Sequence, residues 1–238
     1  MKFAILSDIH SNLEALEAVL RDADEKSVTQ FIVLGDTVGY GANPNECFEW
    51  AVTKADVCLI GNHEKAVVDE TLRLRFNEHA RDAIVWTAKQ MDSKAEDKIR
   101  DLPYRIDRDG VTFVHGSPDR PESFRYLFGY EEAESSFRHF DQHVCFVGHT
   151  HIPCCFFQGR RSAEHLKPGV VQLNADDRYI LNPGSVGQPR DQDSRSAYGI
   201  YDDEVRTFEL VRLEYENKKA AKKIRAAGLP GFLADRLL

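Results

Sequence analysis

Short apolar runs recur along the chain, and each gives way to polar or glycine-bearing residues. Phe3 to Leu6 runs into Ser-Asp-Ile-His, Phe31 to Leu34 into Gly-Asp-Thr-Val-Gly-Tyr-Gly, and Val57 to Ile60 into Gly-Asn-His-Glu. Three more follow: Val111 to Val114 before His-Gly-Ser-Pro, Val144 to Val147 before Gly-His-Thr-His, and Tyr179 to Leu181 before Asn-Pro-Gly-Ser-Val-Gly. Short runs rich in β-branched side chains predict strands rather than helices. Helical patterns lie between the early runs. Ser11 and Glu14 have the spacing of a capping box ahead of Leu13, Leu16, Ala18, Val19 and Leu20, which predicts a helix from residue 11 or 12. Pro44 to Val52 predicts a second, with Pro44 in its first turn. Strand, helix, strand, helix, strand is the order of an α/β sheet with right-handed crossovers.

From Glu64 to Leu102 the pattern changes. Ala80, Ala83, Ile84, Thr87, Ala88 and Met91 fall at helical spacing and predict an amphipathic helix inserted between the third and fourth strands. It serves either as a cap over a site or as a layer covering one sheet face. Val111 to about Leu213 is strand-rich, with turns expected at Asp109-Gly110 and Asp202-Asp203, and predicts a second sheet packed on the first. Glu216 to Leu238 reads as two short helices split by Gly228-Leu229-Pro230-Gly231. Phe232, Leu233, Leu237 and Leu238 are too apolar for a free tail and dock either on the body or on a second copy as a homo-oligomer contact. No internal repeat or linker divides the chain, so one domain is expected over 1–238, with a helical insert at about 64–102 and a helical tail at about 215–238.

Charge narrows the function classes. A net charge of −8 disfavours nucleic acid as a partner, the dense basic residues being confined to Lys218, Lys219, Lys222, Lys223 and Arg225. Met1 to Leu6 lacks a signal-peptide layout and no apolar stretch reaches membrane-spanning length, so a cytoplasmic protein without a membrane partner is expected. The five cysteines form no CxxC pair. Cys47, Cys58 and Cys145 have apolar neighbours, and vicinal Cys154 and Cys155 point to opposite faces if they lie on a strand.

In open α/β sheets the functional crevice lies beyond the carboxyl ends of the strands. Those ends carry Asp8 and His10, Asp36, Asn62 and His63, His115, and His149 and His151. No GxSxG elbow and no phosphate-binding G-x-x-x-x-G-K-[ST] loop occurs. Mixed nitrogen and oxygen donors suit Mn, Fe, Zn, Co or Ni better than Mg or Ca. Seven donors exceed one ion and fit two if a carboxylate bridges them. If Gly148 to His151 is extended, His149 and His151 face one spot. Any one of these residues alone is more often an ordinary turn or hydrogen-bonding residue; the coincidence of five strand ends carries the signal.

The set Asp8-Ile9-His10, Gly35-Asp36-Thr37-Val38-Gly39, Gly61-Asn62-His63-Glu64, His115-Gly116 and Gly148-His149-Thr150-His151 resembles the calcineurin-like metallophosphoesterase superfamily over residues 1 to about 190. Gly-Tyr-Gly after the second motif and Asn182 to Arg190 at the close resemble its compact bacterial and archaeal phosphodiesterase branch. The resemblance implies a four-layer αββα sandwich of two mixed β-sheets flanked by helices, and two divalent transition-metal ions. It implies a first metal on Asp8, His10, Asp36 and His151, with Asp36 bridging to a second on Asn62, His115 and His149. It implies His63 as the group that protonates or hydrogen-bonds the leaving oxygen. One position departs: where the Ser/Thr protein phosphatases of the superfamily place an Asp that orients the catalytic histidine, this chain has Gly39.

The chemistry expected is in-line attack by a hydroxide held between two cations on a small phosphorylated substrate, with Mn the ion of choice for assay. Small phosphodiesters, nucleotides and dinucleoside polyphosphates lead as substrates. A nuclease and a non-catalytic scaffolding module are the alternatives; the first calls for a basic groove and the second for missing ligands. Arg190 is the candidate clamp for a distal phosphate and Tyr40 the candidate base-stacking or cleft-lining ring, against readings as a surface ion pair and a packed loop aromatic. Arg75, Phe76, Arg125 and Tyr126 are weaker candidates to overhang the site.

Overall fold

In a computed structural model, which describes residues 1–159 and 163–238, the early alternation appears as β1 (Lys2–Leu6), α1 (Leu13–Glu25), β2 (Gln30–Val33), α2 (Pro44–Lys54) and β3 (Val57–Cys58). The insert contains α3 (Asn62–Val68), α4 (Glu70–Arg73), α5 (Glu78–Gln90) and α6 (Ser93–Asp101). Then come β4 (Arg105–Arg108), β5 (Val111–Val114), a 3-10 turn at Pro121–Ser123, α7 (Tyr130–Ser136), β6 (Val144–Phe146) and β7 (Cys154–Phe157). The chain closes with β8 (Ala163–His165), β9 (Gly169–Gln172), β10 (Tyr179–Asn182), β11 (Ser196–Asp202), β12 (Thr207–Leu213), α8 (Asn217–Ala226) and α9 (Gly231–Asp235).

Two six-stranded mixed sheets result, in the orders β3-β2-β1-β11-β12-β9 and β4-β5-β6-β10-β7-β8. Strands β1, β2 and β3 run parallel and point their carboxyl ends the same way, as do β5, β6 and β10 in the second sheet. Alternation along β1 shows how the layers form. Phe3 and Ile5 enter a core shared with Phe113, Phe146, Tyr179 and Phe208, while Ala4 and Leu6 face Leu16 and Val19 of α1. Burying each large side chain of that inter-sheet core stabilises the fold by roughly 1.5–3 kcal/mol. On the outer face of the second sheet Ala133 and Phe137 pack on Cys145 and Ile180. Helix, sheet, sheet, helix is thus the layer order, the αββα sandwich expected. Cys155 lies in the inter-sheet core and Cys154 in the outer cluster, as alternation on a strand requires.

Three local expectations are corrected. The cap of α1 is Asn12, whose side-chain oxygen accepts from Ala15 N–H at 3.2 Å. Ser11 instead takes φ +55° and ties its N–H to the Thr37 carbonyl, so it belongs to the site loop rather than the helix. Glu14, freed from capping, pairs with Lys223 of α8 at 2.6 Å. Residues 148–151 are not extended: β6 ends at Phe146, and His149 and His151 take φ +67° and +62°. The same-face argument for those two rings therefore fails.

The tail docks on the body of its own chain through Leu233 and Leu237, while Phe232 and Leu238 stay exposed. Ala220, Ala221, Ile224, Leu233 and Leu237 bury against Ala80 and Ala83 of α5 and against Tyr40. Insert and tail thereby meet above the carboxyl ends of the strands.

Candidate active site

Five of the predicted ligands adopt left-handed backbone: Asp8 (φ +54°), His10 (+51°), Asp36 (+52°), His149 (+67°) and His151 (+62°). Each costs about 1–2 kcal/mol for a side-chain-bearing residue. Bonds between loops hold them there, with Asp8 N–H donating to the Gly35 carbonyl at 3.1 Å and His10 N–H to that of Asp36 at 2.9 Å. Gly61 permits a close approach, because a Cβ there would overlap the Asp36 carboxylate.

All seven predicted ligands converge and are buried, apart from half-buried Asn62. Asp8, His10 and His151 form one group, Asp36, His115 and His149 another, and Asp36 with His10 and His63 a third that joins them. The Asp36 carboxylate divides its work. Oδ1 accepts the His63 backbone N–H at 2.8 Å, while Oδ2 faces inward, 3.3 Å from His115 Nε2 and 3.8 Å from His10 Nε2. One oxygen is thus within reach of both groups. Asp8 divides likewise: Oδ2 accepts from Ser7 Oγ and His149 N–H, and buried Oδ1 has no hydrogen-bond partner among the described residues, 3.3 Å from His151 Nε2.

The imidazoles are oriented from behind. A carbonyl oxygen can only accept, so Nδ1–H of His10 donates to Val38 O (3.1 Å), that of His115 to Leu34 O (3.2 Å) and that of His151 to Gln188 O (2.6 Å). Nε2 of each is then the inward nitrogen. His10 Nε2 and His151 Nε2 are 3.1 Å apart, lone pair toward lone pair, an arrangement that calls for a cation between them. On the other side His115 Nε2 is 3.1 Å from His149 Nδ1 and 3.2 Å from Asn62 Oδ1. With ligand bonds of about 2.1 Å, neighbouring donors are about 3.0 Å apart on an octahedron and about 3.4 Å on a tetrahedron. The spacings, the unpartnered Asp8 oxygen and the facing lone pairs all fit divalent metal ions.

Electrostatics agrees. Burial holds His10, His149 and His151 well below the ordinary imidazole range, which keeps them neutral and able to ligate. Burial pushes Asp8 up to about 6, though the charge of His115 pulls it down. At His115 burial is outweighed by the Asp36 and Asp8 carboxylates, which push it up to about 9, so in the metal-free protein a proton neutralises charge where a cation would. Asp36, despite burial, is held well below the carboxylate range by His115 and His63.

His63 occupies the cleft edge, its Nε2 4.0 Å from Asp36 Oδ2. Its orientation comes from rings. Tyr40, His10 and Phe76 pack edge-on around it at centroid distances of 4.5, 4.6 and 5.2 Å. Nδ1 points at Gly39, where φ is +87° and a Cβ would overlap it. The departure at position 39 is thus steric: the His63 ring fills the space an orienting carboxylate would take. Burial lowers His63 to about 4, so it is neutral at neutral pH.

The sequence offered Glu64 only as part of a motif. Fully buried, it accepts four backbone N–H groups, Thr37 (2.6 Å) and Val38 (3.0 Å) on Oε1 and Asp36 and Gly61 (both 2.8 Å) on Oε2. Burial and Asp36 push its carboxyl up to about 7, against the pull of these donors. The legible signal was a charged residue beside Gly-Asn-His, three residues after Gly61, which is capping-box spacing.

Above the predicted ligands opens a cavity of about 660 Å³, walled by Arg75 and Phe76 of the insert, Tyr126, Arg190, and Phe232 and Arg236 of the tail. Tyr40 and Arg190 both reach it, joined through Arg190 Nη2 to Tyr40 Oη at 3.3 Å. Tyr126 stacks on His149 at 3.8 Å. Arg125 turns away to pair with Asp119 at 2.9 Å. The insert and the tail therefore both wall the cleft.

A sandwich with a buried cluster of imidazoles and carboxylates at the strand ends is the architecture of a metal-dependent phosphoesterase. Residues 1–204 match the calcineurin-like phosphoesterase superfamily domain, and the chain belongs to that superfamily. It is 40% identical over 238 residues to the uncharacterised protein MJ0912 of Methanocaldococcus jannaschii, covering 98% of this chain and 96% of that one. A metallophosphoesterase from Sphaerobacter thermophilus superposes with a TM-score of 0.90 at 39% identity, covering 100% of this chain and 98% of that one. The hypothetical protein PH1004 of Pyrococcus horikoshii gives 0.82 at 19% identity over 99% and 97% of the two chains, a likeness of fold. The protein is a metal-dependent hydrolase of the compact prokaryotic type. No helix among the described residues is long and apolar enough to cross a membrane.

Proposed function

We propose that the protein hydrolyses small phosphodiesters or nucleotides, dinucleoside polyphosphates among them, with two transition-metal ions. Asp8, His10, Asp36 and His151 hold one ion, and Asp36, Asn62, His115 and His149 the other. The observation that carries this reading is the inward Asp36 Oδ2, placed between the two groups and within 3.8 Å of an inward nitrogen in each. When bound, the ions neutralise the phosphoryl oxygens and activate water near neutral pH. His63 is neutral, and a hydrogen bond from its cleft-side Nε2 stabilises the leaving oxygen. Arg190 binds a further phosphoryl oxygen, and Tyr40 fixes both the His63 ring and the Arg190 guanidinium. A cavity of about 660 Å³ walled by insert and tail favours a small substrate over a nucleic-acid duplex.

Metal analysis with turnover of bis-p-nitrophenyl phosphate in Mn tests the assignment, Fe, Zn, Ni and Co serving as alternative ions. Two ions per chain and hydrolysis are expected for the wild type, and Asp36→Asn is expected to lose metal pairing and at least a thousandfold in kcat/KM. His63→Asn is expected to keep its metal and to lose roughly 10²–10⁴-fold in kcat, most with poor leaving groups. A metal-replete wild type without hydrolysis, or an Asp36→Asn protein of unchanged activity, refutes the proposal.

A further inference from the structure

The family match ends at residue 204, yet the tail beyond it reaches the cleft. Gln188, only 2% exposed, joins that tail to the metal centre. Its backbone carbonyl accepts Nδ1–H of His151 at 2.6 Å. Its side-chain Oε1 accepts from two guanidinium groups, Arg190 Nη2 at 3.3 Å and Arg236 Nη1 at 3.2 Å. Two cations thus share one neutral oxygen.

Neither has a carboxylate partner among the described residues, whereas Arg212, Arg195 and Arg225 are each paired to aspartates. Arg190 also has a buried Nε without a partner. Packing holds the like charges together. The Arg190 backbone N–H bonds to the His151 carbonyl and its guanidinium lies over the Tyr40 ring, while Arg236 lies 4.9 Å over Phe232, itself packed at a tilt against His79 of α5. Burial lowers the Arg236 guanidinium and the charge of Arg190 adds to it, as two cations facing one space must. Both border the cavity that Asp36, His63, His149 and His151 also line. Two unneutralised donor forks beside the metal ligands match an anion of several oxygens.

We propose that Arg190 and Arg236 form a second anion subsite, and that it binds the neighbouring phosphoryl group of a diphosphate-linked substrate such as a nucleoside di- or triphosphate or a dinucleoside polyphosphate. The inference rests on the two-metal reading above and narrows its substrate class. Asp36, His63, His149 and His151 line the place where the phosphoryl group under attack would sit, and the arginine pair would take the next one along the chain. The tail is in this way a specificity element.

The test compares Arg236→Ala and Arg236→Lys with wild type in the full, Mn-loaded chain. Kinetics are measured on diadenosine tetraphosphate and on bis-p-nitrophenyl phosphate, which has a single phosphoryl group. Binding of α,β-methylene-ADP and of inorganic phosphate is measured by calorimetry at fixed free Mn. In Arg236→Ala the rise in KM for the tetraphosphate is expected to exceed that for the diester at least tenfold, with partial recovery in Arg236→Lys. Affinity for methylene-ADP is expected to fall tenfold while that for phosphate changes less than twofold. Equal losses on both substrates, or a wild type that binds methylene-ADP no more tightly than phosphate, overturn the subsite. A wild type that leaves bis-p-nitrophenyl phosphate uncleaved overturns the underlying reading instead.

Discussion

Replacing Glu64 by Gln removes one charge and almost no volume, and its effect follows from counting donors. Both carboxylate oxygens are saturated, each by two backbone N–H groups at 2.6 to 3.0 Å. An amide keeps one acceptor oxygen and turns an NH2 toward the other two donors, whichever way it flips. Two charge-assisted bonds are lost and two buried N–H groups are left facing a donor, at about 1–3 kcal/mol for each unpaired group. The sum, roughly 2–6 kcal/mol, is a large part of the 5–15 kcal/mol typical of a domain. Three of the four donors belong to residues 36–38, so the loss falls on the loop bearing Asp36. Urea unfolding at pH 8, where the wild-type carboxyl is ionised, gives the stability difference, and calorimetric Mn titration gives the affinity. A Glu64→Gln protein within 0.5 kcal/mol of wild type and with unchanged Mn affinity would refute the claim that this carboxylate organises the loop.

A methyl group at Gly39 meets the His63 ring and strains a residue at φ +87°, so Gly39→Ala is expected to lower kcat at least tenfold and stability by about 1–2 kcal/mol while two metals remain bound; a wild-type kcat contradicts the steric account. The stability of the metal-free protein is expected to vary with pH through the buried groups of the site. The histidines held low, His10, His63, His149 and His151, contribute stability above the unfolded value of 6.5 that is lost as pH falls below it. His115, raised to about 9, contributes stability present below 6.5 and lost as pH rises to about 9. Asp8 and Glu64, raised to about 6 and about 7, act the opposite way over the acid range, losing stability as pH rises through those values. Chelator-treated protein is therefore expected to show a urea midpoint that peaks near neutrality, where the four lowered histidines outweigh them. A midpoint still climbing at pH 9 contradicts the His115 assignment.

The site combines groups that destabilise the metal-free fold with bonds that hold them. Left-handed backbone, facing lone pairs and like-charged arginines each oppose folding; bonds between loops hold the first, and the other two lie where a cation or an anion would relieve them. Metal binding is thereby coupled to stability, since an ion bound only by the native state stabilises it by mass action.

Much of this protein was decided by local pattern. Apolar runs ending in Asp, Asn and His specified six of the strands and put metal-competent groups beyond their carboxyl ends, because burial of a β-strand imposes composition and the strand-end loop imposes turn residues. The seven donors were legible for the same reason, and Arg190 and Tyr40 were legible as candidates because they adjoin those motifs. Geometry inside the loops was not. The left-handed conformation of His149 and His151, the diversion of Ser11 from the helix cap to the Thr37 carbonyl, and the choice of ring packing over a carboxylate behind His63 all depend on bonds and packing with other segments of the chain. Three of the four donors on Glu64 and the bond from Arg236 to Gln188 are likewise contacts between distant segments. Such contacts leave no periodic trace along a chain. Local sequence determined half of the strands and supplied the candidate ligands; tertiary packing decided what each of them faces and placed the apolar tail, with its arginine, at the wall of the cleft.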